Sequence, residues 1–226
     1  MKYKYKIGES RGIIICDNLK GIKAAINSIR ENRIILKKYI MKNPIFEIAL
    51  NPIELEDNAP IVAKKMVEVT KKLGIGPMAA VAGVLADLAL EAAMNENSKY
   101  ILIENGGEIA INGDHEFKVG IKVGDSIILR LKIRPCDMPI GIATSSGKYG
   151  HALSFGIADS VTIIADNASI ADAVATAVCN STRGKNPLEN GLLKAKEIAK
   201  SIKEVRGAII IVNEEIGIYG KIPEII

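Results

Sequence analysis

An aspartate and a threonine stand four residues apart in the alanine-rich segment 168–177, at Asp172 and Thr176. Residues at this spacing share one face of a helix, and the alanines around them let a ligand come close to the backbone. A carboxylate and a hydroxyl are oxygen donors of the kind that Mg²⁺ prefers. The alternative is structural: Asp172 would favour the N-terminal half of the helix through the helix dipole, and the alanines would allow tight packing against a second helix.

A second polar group surrounds two consecutive glycines, Gly106 and Gly107, between two apolar runs. Glycines at a strand junction supply the positive φ angles of a tight hairpin, which is a sufficient reason for their presence. They also let backbone N–H groups approach a phosphate or a ring edge, and Asn105 adds a side-chain amide. The segment is therefore either a plain turn or part of a nucleotide site, flanked by Glu104 and Glu108.

A third segment, 144–151, combines three hydroxyls with a lysine and a histidine: Thr144, Ser145, Ser146, Lys148 and His151. Hydroxyls and a lysine can hold phosphate oxygens, although the glycine spacing is not that of a Walker A loop. Ser145 lacks the G-x-S-x-G frame of a nucleophile elbow, and His151 is a nearby acid, base or phosphate partner. We predict Thr144, Ser146 and Lys148 as cofactor-binding residues and Ser145 and His151 as catalytic ones; a surface loop is the alternative.

These three segments need a scaffold that brings them together. Short runs between residues 100 and 165, separated by Gly-Gly, Asn-Gly and Gly-Asp turns, predict a meandering antiparallel sheet. Hairpins are predicted at 3–16 and 208–219, and the stretch 44–57 is predicted to be extended or irregular. Helical spacing predicts five helices, at 22–40, 60–74, 77–95, 168–179 and 187–205. The expected fold is a single α+β domain over 1–226, with a mainly antiparallel sheet, a buried alanine-rich central helix and flanking helices.

The composition argues against several classes of protein. The chain has 30 Lys+Arg against 26 Asp+Glu, and its basic residues are spread over helix faces without aromatic partners, so we expect no nucleic-acid partner. Three widely spaced cysteines predict neither a disulfide framework nor a zinc site. No apolar leader precedes the first strand, and the apolar stretch 78–94 carries two acids, so we expect a cytoplasmic protein without membrane contact. The apolar helix and Ile-rich strands predict a homodimer.

The order of the polar segments resembles that of ApbE-like FAD:protein FMN transferases over about residues 101–177. The matching motifs are Glu104-Asn105-Gly106-Gly107-Glu108, Phe117-Lys118-Val119-Gly120-Ile121, Ile142-Ala143-Thr144-Ser145-Ser146-Gly147, Ser160-Val161-Thr162-Ile163-Ile164-Ala165 and Ala171-Asp172-Ala173-Val174-Ala175-Thr176-Ala177. Those enzymes bind FAD and magnesium, and they move FMN onto a threonine of a target protein with release of AMP. From end to end, the chain is also similar to a short cytosolic branch, uncharacterised protein family 0280, which in anaerobes is associated with sulfide assimilation into homocysteine.

The resemblance implies roles for individual residues. Asp172 and Thr176 match the family's magnesium ligands, and Asn105, Gly106 and Gly107 match its flavin-nucleotide loop. It therefore implies magnesium-dependent binding of FAD, FMN or a related nucleotide, with cleavage or transfer as a further step.

The chain also departs from the family pattern. The transferases' histidine-isoleucine-isoleucine-aspartate-proline segment has no clean counterpart, because His151-Ala152-Leu153-Ser154-Phe155 stands there. Glu108 replaces an aspartate, and Gly76-Pro77-Met78 replaces a lysine-glycine entry to the central helix. The alternative is therefore an accessory protein that has kept the scaffold without flavin transfer and that binds sulfur-assimilation proteins.

Overall fold

Eleven strands build two antiparallel sheets in the computed structural model, which describes residues 1–123, 127–148 and 156–226. The strands are β1 (Lys2–Ile7), β2 (Ser10–Cys16), β3 (Tyr100–Asn105), β4 (Glu108–Gly113), β5 (Phe117–Val123), β6 (Ile127–Ile133), β7 (Ile140–Ser145), β8 (Ser160–Ala165), β9 (Val205–Val212), β10 (Glu215–Gly220) and β11 (Glu224–Ile225). The main sheet has eight strands in the order β1-β2-β3-β4-β7-β8-β9-β10. A smaller sheet has the order β11-β6-β5.

In the described ranges, six α-helices accompany the sheets: α1 (Leu19–Lys42), α2 (Ile45–Ile48), α3 (Ile61–Lys71), α4 (Val81–Met94), α5 (Ala168–Ser181) and α6 (Pro187–Ser201). A 3₁₀ turn, Pro77–Ala80, leads into α4. Asn18 caps α1 by accepting from the Gly21 N–H, and Asn167 caps α5 by accepting from the Ile170 N–H. The sequence therefore sets both helix starts locally.

The central strands β3, β4, β7, β8 and β9 of the main sheet are mostly buried, whereas the edge strands β1 and β10 are mostly exposed. Successive residues of each strand alternate between the two faces. In β4, Ile109 and Ile111 pack with Phe117 and Leu131 of the small sheet. Ala110 packs instead with residues of α1 and α4. The main sheet thus separates a core shared with the small sheet from a core shared with the helices.

The apolar helix α4 lies inside the helical layer. Pro77–Met94 is long and apolar enough, by length and composition, to cross a membrane, and half of it is buried within the protein. Helices α1 and α5 and strands β3 and β4 pack around it, and Glu91 is its one exposed residue. The helix therefore finds its partners within the chain, so its apolar surface no longer argues for a second copy; the homodimer stays a prediction.

Helices α4 and α5 cap one another through two aspartates. Asp87 of α4 accepts from the backbone N–H groups of Ala168 and Ser169 at 2.9 and 2.8 Å, at the first turn of α5. Asp172 of α5 accepts from the Gly83 N–H at 2.9 Å, in the first turn of α4. Each carboxylate satisfies amides that have no partner within their own helix. Burial raises the pKa of Asp87, and the Ser169 and Ala168 contacts offset part of that rise.

We expect Asp87→Asn to lower the free energy of unfolding by about 1.5 kcal/mol. The two carboxylate oxygens each accept from one buried N–H group, whereas asparagine has a single acceptor oxygen and presents an NH₂ group to the other N–H. Chemical denaturation followed by circular dichroism measures this loss. Asp166→Asn is the matched surface control, since Asp166 pairs with Arg206 at the protein surface. A loss no greater than that of the control would contradict the capping role.

The predicted α+β class and antiparallel sheet are confirmed, with two corrections. Strands β5 and β6 leave the expected single meander and pair with β11 in the second sheet. The region predicted to be irregular contains the short helix α2, whose Phe46 is buried against Tyr39. Both differences come from tertiary contacts. The β5–β6 hairpin has the same internal pairing in either sheet, so its sequence does not indicate which sheet it joins. Helix α2 is held by the packing of Phe46 against Tyr39.

Candidate functional site

Asn105, predicted to bind the flavin nucleotide, is buried at the end of β3 and uses both ends of its side-chain amide. Its Oδ1 accepts from the Tyr5 hydroxyl at 3.1 Å, and its Nδ2 donates to the Ala82 carbonyl at 3.0 Å. Burial raises the pKa of Tyr5 above its usual range, so this hydroxyl stays a donor. Asn105 thereby ties β1 and β3 to the first turn of α4.

The glycine turn after Asn105 is open on its outer side. Gly106 and Gly107 have φ angles of 72° and 117°, which require glycine. Their N–H groups are used, because Gly106 donates to the Arg11 carbonyl and Gly107 donates to a Glu104 carboxylate oxygen, each at 2.9 Å. A Cβ placed on Gly107 would meet no atom within 4 Å. A flat ring can therefore approach this turn, although its amides already have partners.

Asp172 keeps only a small exposed area next to the first turn of α4. Burial and the negative charge of Glu108 raise the pKa of this carboxyl well above its usual range, and the backbone amides of Gly83 and Ala82 oppose the rise. A carboxylate can accept about four hydrogen bonds, so two N–H groups leave acceptor capacity for a cation. Asp172 is thus both a helix cap and a candidate ligand.

Thr176 lies one turn further along α5 and is 8% exposed. In the described ranges this hydroxyl forms no hydrogen bond, and no side-chain oxygen that is fully shielded from solvent lacks a partner there. The hydroxyl must therefore border accessible space. The predicted pairing of Asp172 and Thr176 on one helix face is present, and their role as metal ligands stays a prediction.

Glu108 is the residue that the sequence-based site omitted. It pairs in register with Asn105, and it precedes Ala110 by two residues, which places it on the helix side of the main sheet. Burial, followed by the nearby charge of Glu104, raises its pKa to about 7. The two-residue alternation of β4 was the available signal, but the sequence does not say which face meets the helices.

The predicted hydroxyl group divides between the two faces of the sheet. The Thr144 and Thr162 hydroxyls hydrogen-bond at 2.8 Å and lie on the face that packs with the small sheet, like Ile142 and Ile164 beside them. Ser145 pairs with Val161, which belongs to the helix-side core. Only Ser145 of these predicted residues therefore shares a face with Asp172.

Lys148 and Ser146 lie in the turn after β7. The Lys148 ammonium contacts Asp159 at 2.7 Å and Asn213 at 3.1 Å. The Ser146 hydroxyl accepts from the Lys148 N–H at 3.1 Å. This lysine is therefore engaged with a carboxylate, and a phosphate would have to displace Asp159. His151 lies outside the described residues.

The donor set fits a hard cation. Asp172 and Thr176 supply oxygen donors, as Mg²⁺ requires, and Mg²⁺ commonly takes one or two carboxylates and keeps several waters. In the ranges 1–123, 127–148 and 156–226 no three His, Cys, Asp or Glu side chains form a metal cluster. A soft-metal site is thus not indicated there, whereas a sparse oxygen site is compatible with these residues.

Comparisons with known proteins show similar sequences along the whole chain. Residues 4–215 match the protein-family model described as AbpE bacteria. A UPF0280 protein of Methanosarcina acetivorans is 40% identical over 228 residues, covering 100% of this chain and 88% of the relative. A UPF0280 protein of Methanocaldococcus jannaschii is 37% identical, covering 100% and 93%.

Solved structures share the fold at low sequence identity. The flavinyl transferase ApbE of Pseudomonas stutzeri aligns with a TM-score of 0.66 at 11% identity, over 98% of this chain and 94% of that one. The ApbE protein of Thermotoga maritima aligns with a TM-score of 0.60 at 15% identity, over 98% and 97%. These alignments show the fold and leave the chemistry of this chain to its own residues.

Proposed function

We propose that this chain, which belongs to the UPF0280 family and has the ApbE-like fold, binds a divalent metal ion together with a flavin dinucleotide or a related nucleotide. The site lies where the first turn of α4 meets α5 and the Gly106–Gly107 turn. Flavin transferases with the same fold support a flavin nucleotide as the ligand. Support for the site comes from the residues of this chain.

The observation that carries the proposal is the position of Asp172 and Thr176 on one face of α5, with Asp172 against the first turn of α4. Burial and Glu108 both disfavour its ionised form, and only backbone amides favour it. A divalent cation would remove this penalty, because an opposite charge within a few ångströms stabilises a carboxylate in a low-dielectric site. The hydroxyl of Thr176, which has no hydrogen-bond partner among the described residues, lies on the same helix face and supplies a second oxygen.

A bound magnesium ion would neutralise charge on the pyrophosphate of the nucleotide. Asp172 and Thr176 would hold the ion. Asn105 fixes the start of α4 through the Ala82 carbonyl, and the open outer side of Gly107 leaves room for a ring. Attack by water or by an acceptor hydroxyl on the flavin-side phosphorus of FAD would break the pyrophosphate bond, form FMN or an FMN ester, and release AMP, with the proton passing to solvent. Ser145 is the predicted residue on the same face.

The decisive experiment compares Asp172→Asn with Asp87→Asn. We expect wild-type protein to bind FAD in the presence of MgCl₂, measured by equilibrium dialysis and flavin fluorescence, with affinity reduced at least about tenfold in Asp172→Asn. Asp87→Asn removes a buried carboxylate at the other helix cap, so it is expected to lose stability and keep binding. Chromatography of the same mixtures detects any AMP.

Absence of FAD and magnesium binding by the wild-type protein would contradict the proposal. Equal binding by the wild type and Asp172→Asn would remove the assigned ligand. Release of AMP that depends on Asp172 would establish cleavage or transfer in addition to binding.

A second candidate is an accessory protein in anaerobic sulfide assimilation that lacks flavin transfer. The ion pair of Lys148 with Asp159 favours it, because the lysine predicted to hold pyrophosphate is engaged elsewhere. Affinity purification of the tagged chain from an anaerobic lysate tests this candidate. Recovery of sulfur-assimilation enzymes without FAD turnover supports it, whereas robust FAD turnover without those enzymes rules it out.

A further inference from the structure

Two glutamates flank the Gly106–Gly107 turn, and the sheet sends them to opposite faces. Glu104 pairs with Ile109, which packs against the small sheet. Its carboxylate accepts from the Gly107 N–H within the turn. Glu108 pairs with Asn105 and faces the helices. Of the two acids, only Glu108 is on the side of α5.

Distances along β7 and α5 place Glu108 level with Asp172. A Cβ on Gly141 would lie 1.9 Å from the backbone of Asn167, so β7 and α5 start side by side. Two residues along β7, or about 6–7 Å, lead to Ala143. Four residues along α5 from Ala168, or about 6 Å, lead to Asp172. Because Ile109 pairs with Ile142, continuing that register places Glu108 beside Ala143.

The same measure places Thr176 beside the end of β7. Eight residues along α5 from Ala168 span about 12 Å, and four residues from Gly141 to Ser145 span about 13 Å. Asp172 and Thr176 therefore lie alongside the last part of β7, with Asp172 at the level of Glu108 and Thr176 at the level of Ser145.

Positive side chains do not balance this pair. In the described part of the chain, no lysine, arginine or histidine forms an ion pair with Asp172 or Glu108. Thr176, a residue that is 8% exposed, adds a hydroxyl that borders accessible space and has no hydrogen-bond partner within the described ranges. Two neighbouring acids and a hydroxyl without a partner among the described residues thus lie together, and a divalent cation bound there would take the place of the protons that neutralise buried carboxyls.

We propose that Glu108 is a ligand of the divalent cation held by Asp172 and Thr176, so that the ion is bound by two carboxylates and one hydroxyl. This inference rests on the proposed function, since it assigns a further ligand to the same ion. Glu104 is not expected to be a ligand, because it lies on the opposite face of the sheet, although it flanks the same turn and has the same side chain. Glu108 completes a hard-oxygen site that the ligands on α5 alone would leave with a single carboxylate.

The test measures binding of Mn²⁺ alone by electron paramagnetic resonance and calorimetry, without nucleotide and without an activity assay. We expect Glu108→Gln to weaken Mn²⁺ binding at least about tenfold, because removing one charged oxygen ligand strongly lowers the affinity of a hard cation. The matched variant Glu104→Gln is expected to stay within about twofold of the wild type. Circular dichroism and thermal unfolding verify that each variant is folded.

The outcomes separate the inference from the function on which it rests. Mn²⁺ binding that is lost in Asp172→Asn but unchanged in Glu108→Gln overturns the role of Glu108 and leaves the proposed function standing. Equal weakening in Glu104→Gln and Glu108→Gln also overturns it, because the effect would then be a general charge effect. Absence of Mn²⁺ binding by the wild type, with and without FAD, overturns both.

Discussion

Replacing Gly83 with alanine is expected to lower the free energy of unfolding by about 3 kcal/mol and to weaken cation binding. The new Cβ would lie 2.4 Å from the Ala168 carbonyl oxygen and 2.8 Å from the Asp172 Cβ. Backbone atoms of a buried helix cannot rotate away, so α4 and α5 must separate. The gain from alanine's higher helix propensity, about 1 kcal/mol, is too small to offset that movement.

Thermal unfolding measures the effect of Gly83→Ala, and a drop of about 10 °C in Tm is expected for a chain of this size. Gly217→Ala is the control, since its Cβ would meet the side-chain tips of Leu192 and Leu188, which can move. We expect that variant to stay within about 1 kcal/mol of the wild type. Equal destabilisation by the two substitutions would show that the α4–α5 contact has no special role.

The close helix contact explains why one aspartate can have two roles. Gly83 lets the first turn of α4 reach Asp172, and the Asp172 carboxylate then accepts from the Gly83 N–H. The alternative interpretation from the sequence, that the alanines of α5 allow tight helix packing, is therefore correct as far as it goes. It does not exclude a ligand, because Asp172 retains acceptor capacity and Thr176 has no hydrogen bond in the described residues.

Local patterns were sufficient to predict most of the main sheet. Apolar alternation and glycine turns predicted its strands, and the pairings of β1 with β2, β3 with β4 and β9 with β10 join strands separated by a short turn. The small sheet was not predictable in this way. Its edge strand β11 has only two residues, and it pairs Glu224 with Lys132, far away in sequence. Such a pairing leaves no periodic signal in so short a segment.

The site was predicted less completely than the fold, because its contacts connect distant parts of the chain. Spacing placed Asp172 and Thr176 on one helix face, but the Asp172 bond to Gly83 joins residues that are 89 positions apart. Alternation along β7 places Thr144 and Ser145 on opposite faces of the sheet, so these two hydroxyls, predicted as one group, do not share a site. Lys148 is held by Asp159, whose pairing no motif indicated.

Without added metal, the free energy of unfolding is expected to fall by about 2–3 kcal/mol between about pH 5 and pH 8 because of Glu108. Burial and Glu104 raise its pKa from 4.5 to about 7 in the folded protein. Below the unfolded pKa both states hold the proton, and the stabilising contribution is fully present. As the pH rises, the unfolded state releases the proton first, so stability is lost until the folded state also ionises near pH 7.

Glu108→Gln should flatten this pH dependence, because glutamine resembles the protonated acid at every pH. Asp172 adds to the same trend, since its pKa is also raised, and millimolar MgCl₂ should restore stability at about pH 8 but not at about pH 5. Urea titrations across that range measure the slope, with exposed Glu197→Gln as the control expected to keep the wild-type slope. A wild-type stability that stays constant or rises with pH would mean that Glu108 and Asp172 ionise without mutual repulsion, and the electrostatic case for a cation between them would fail.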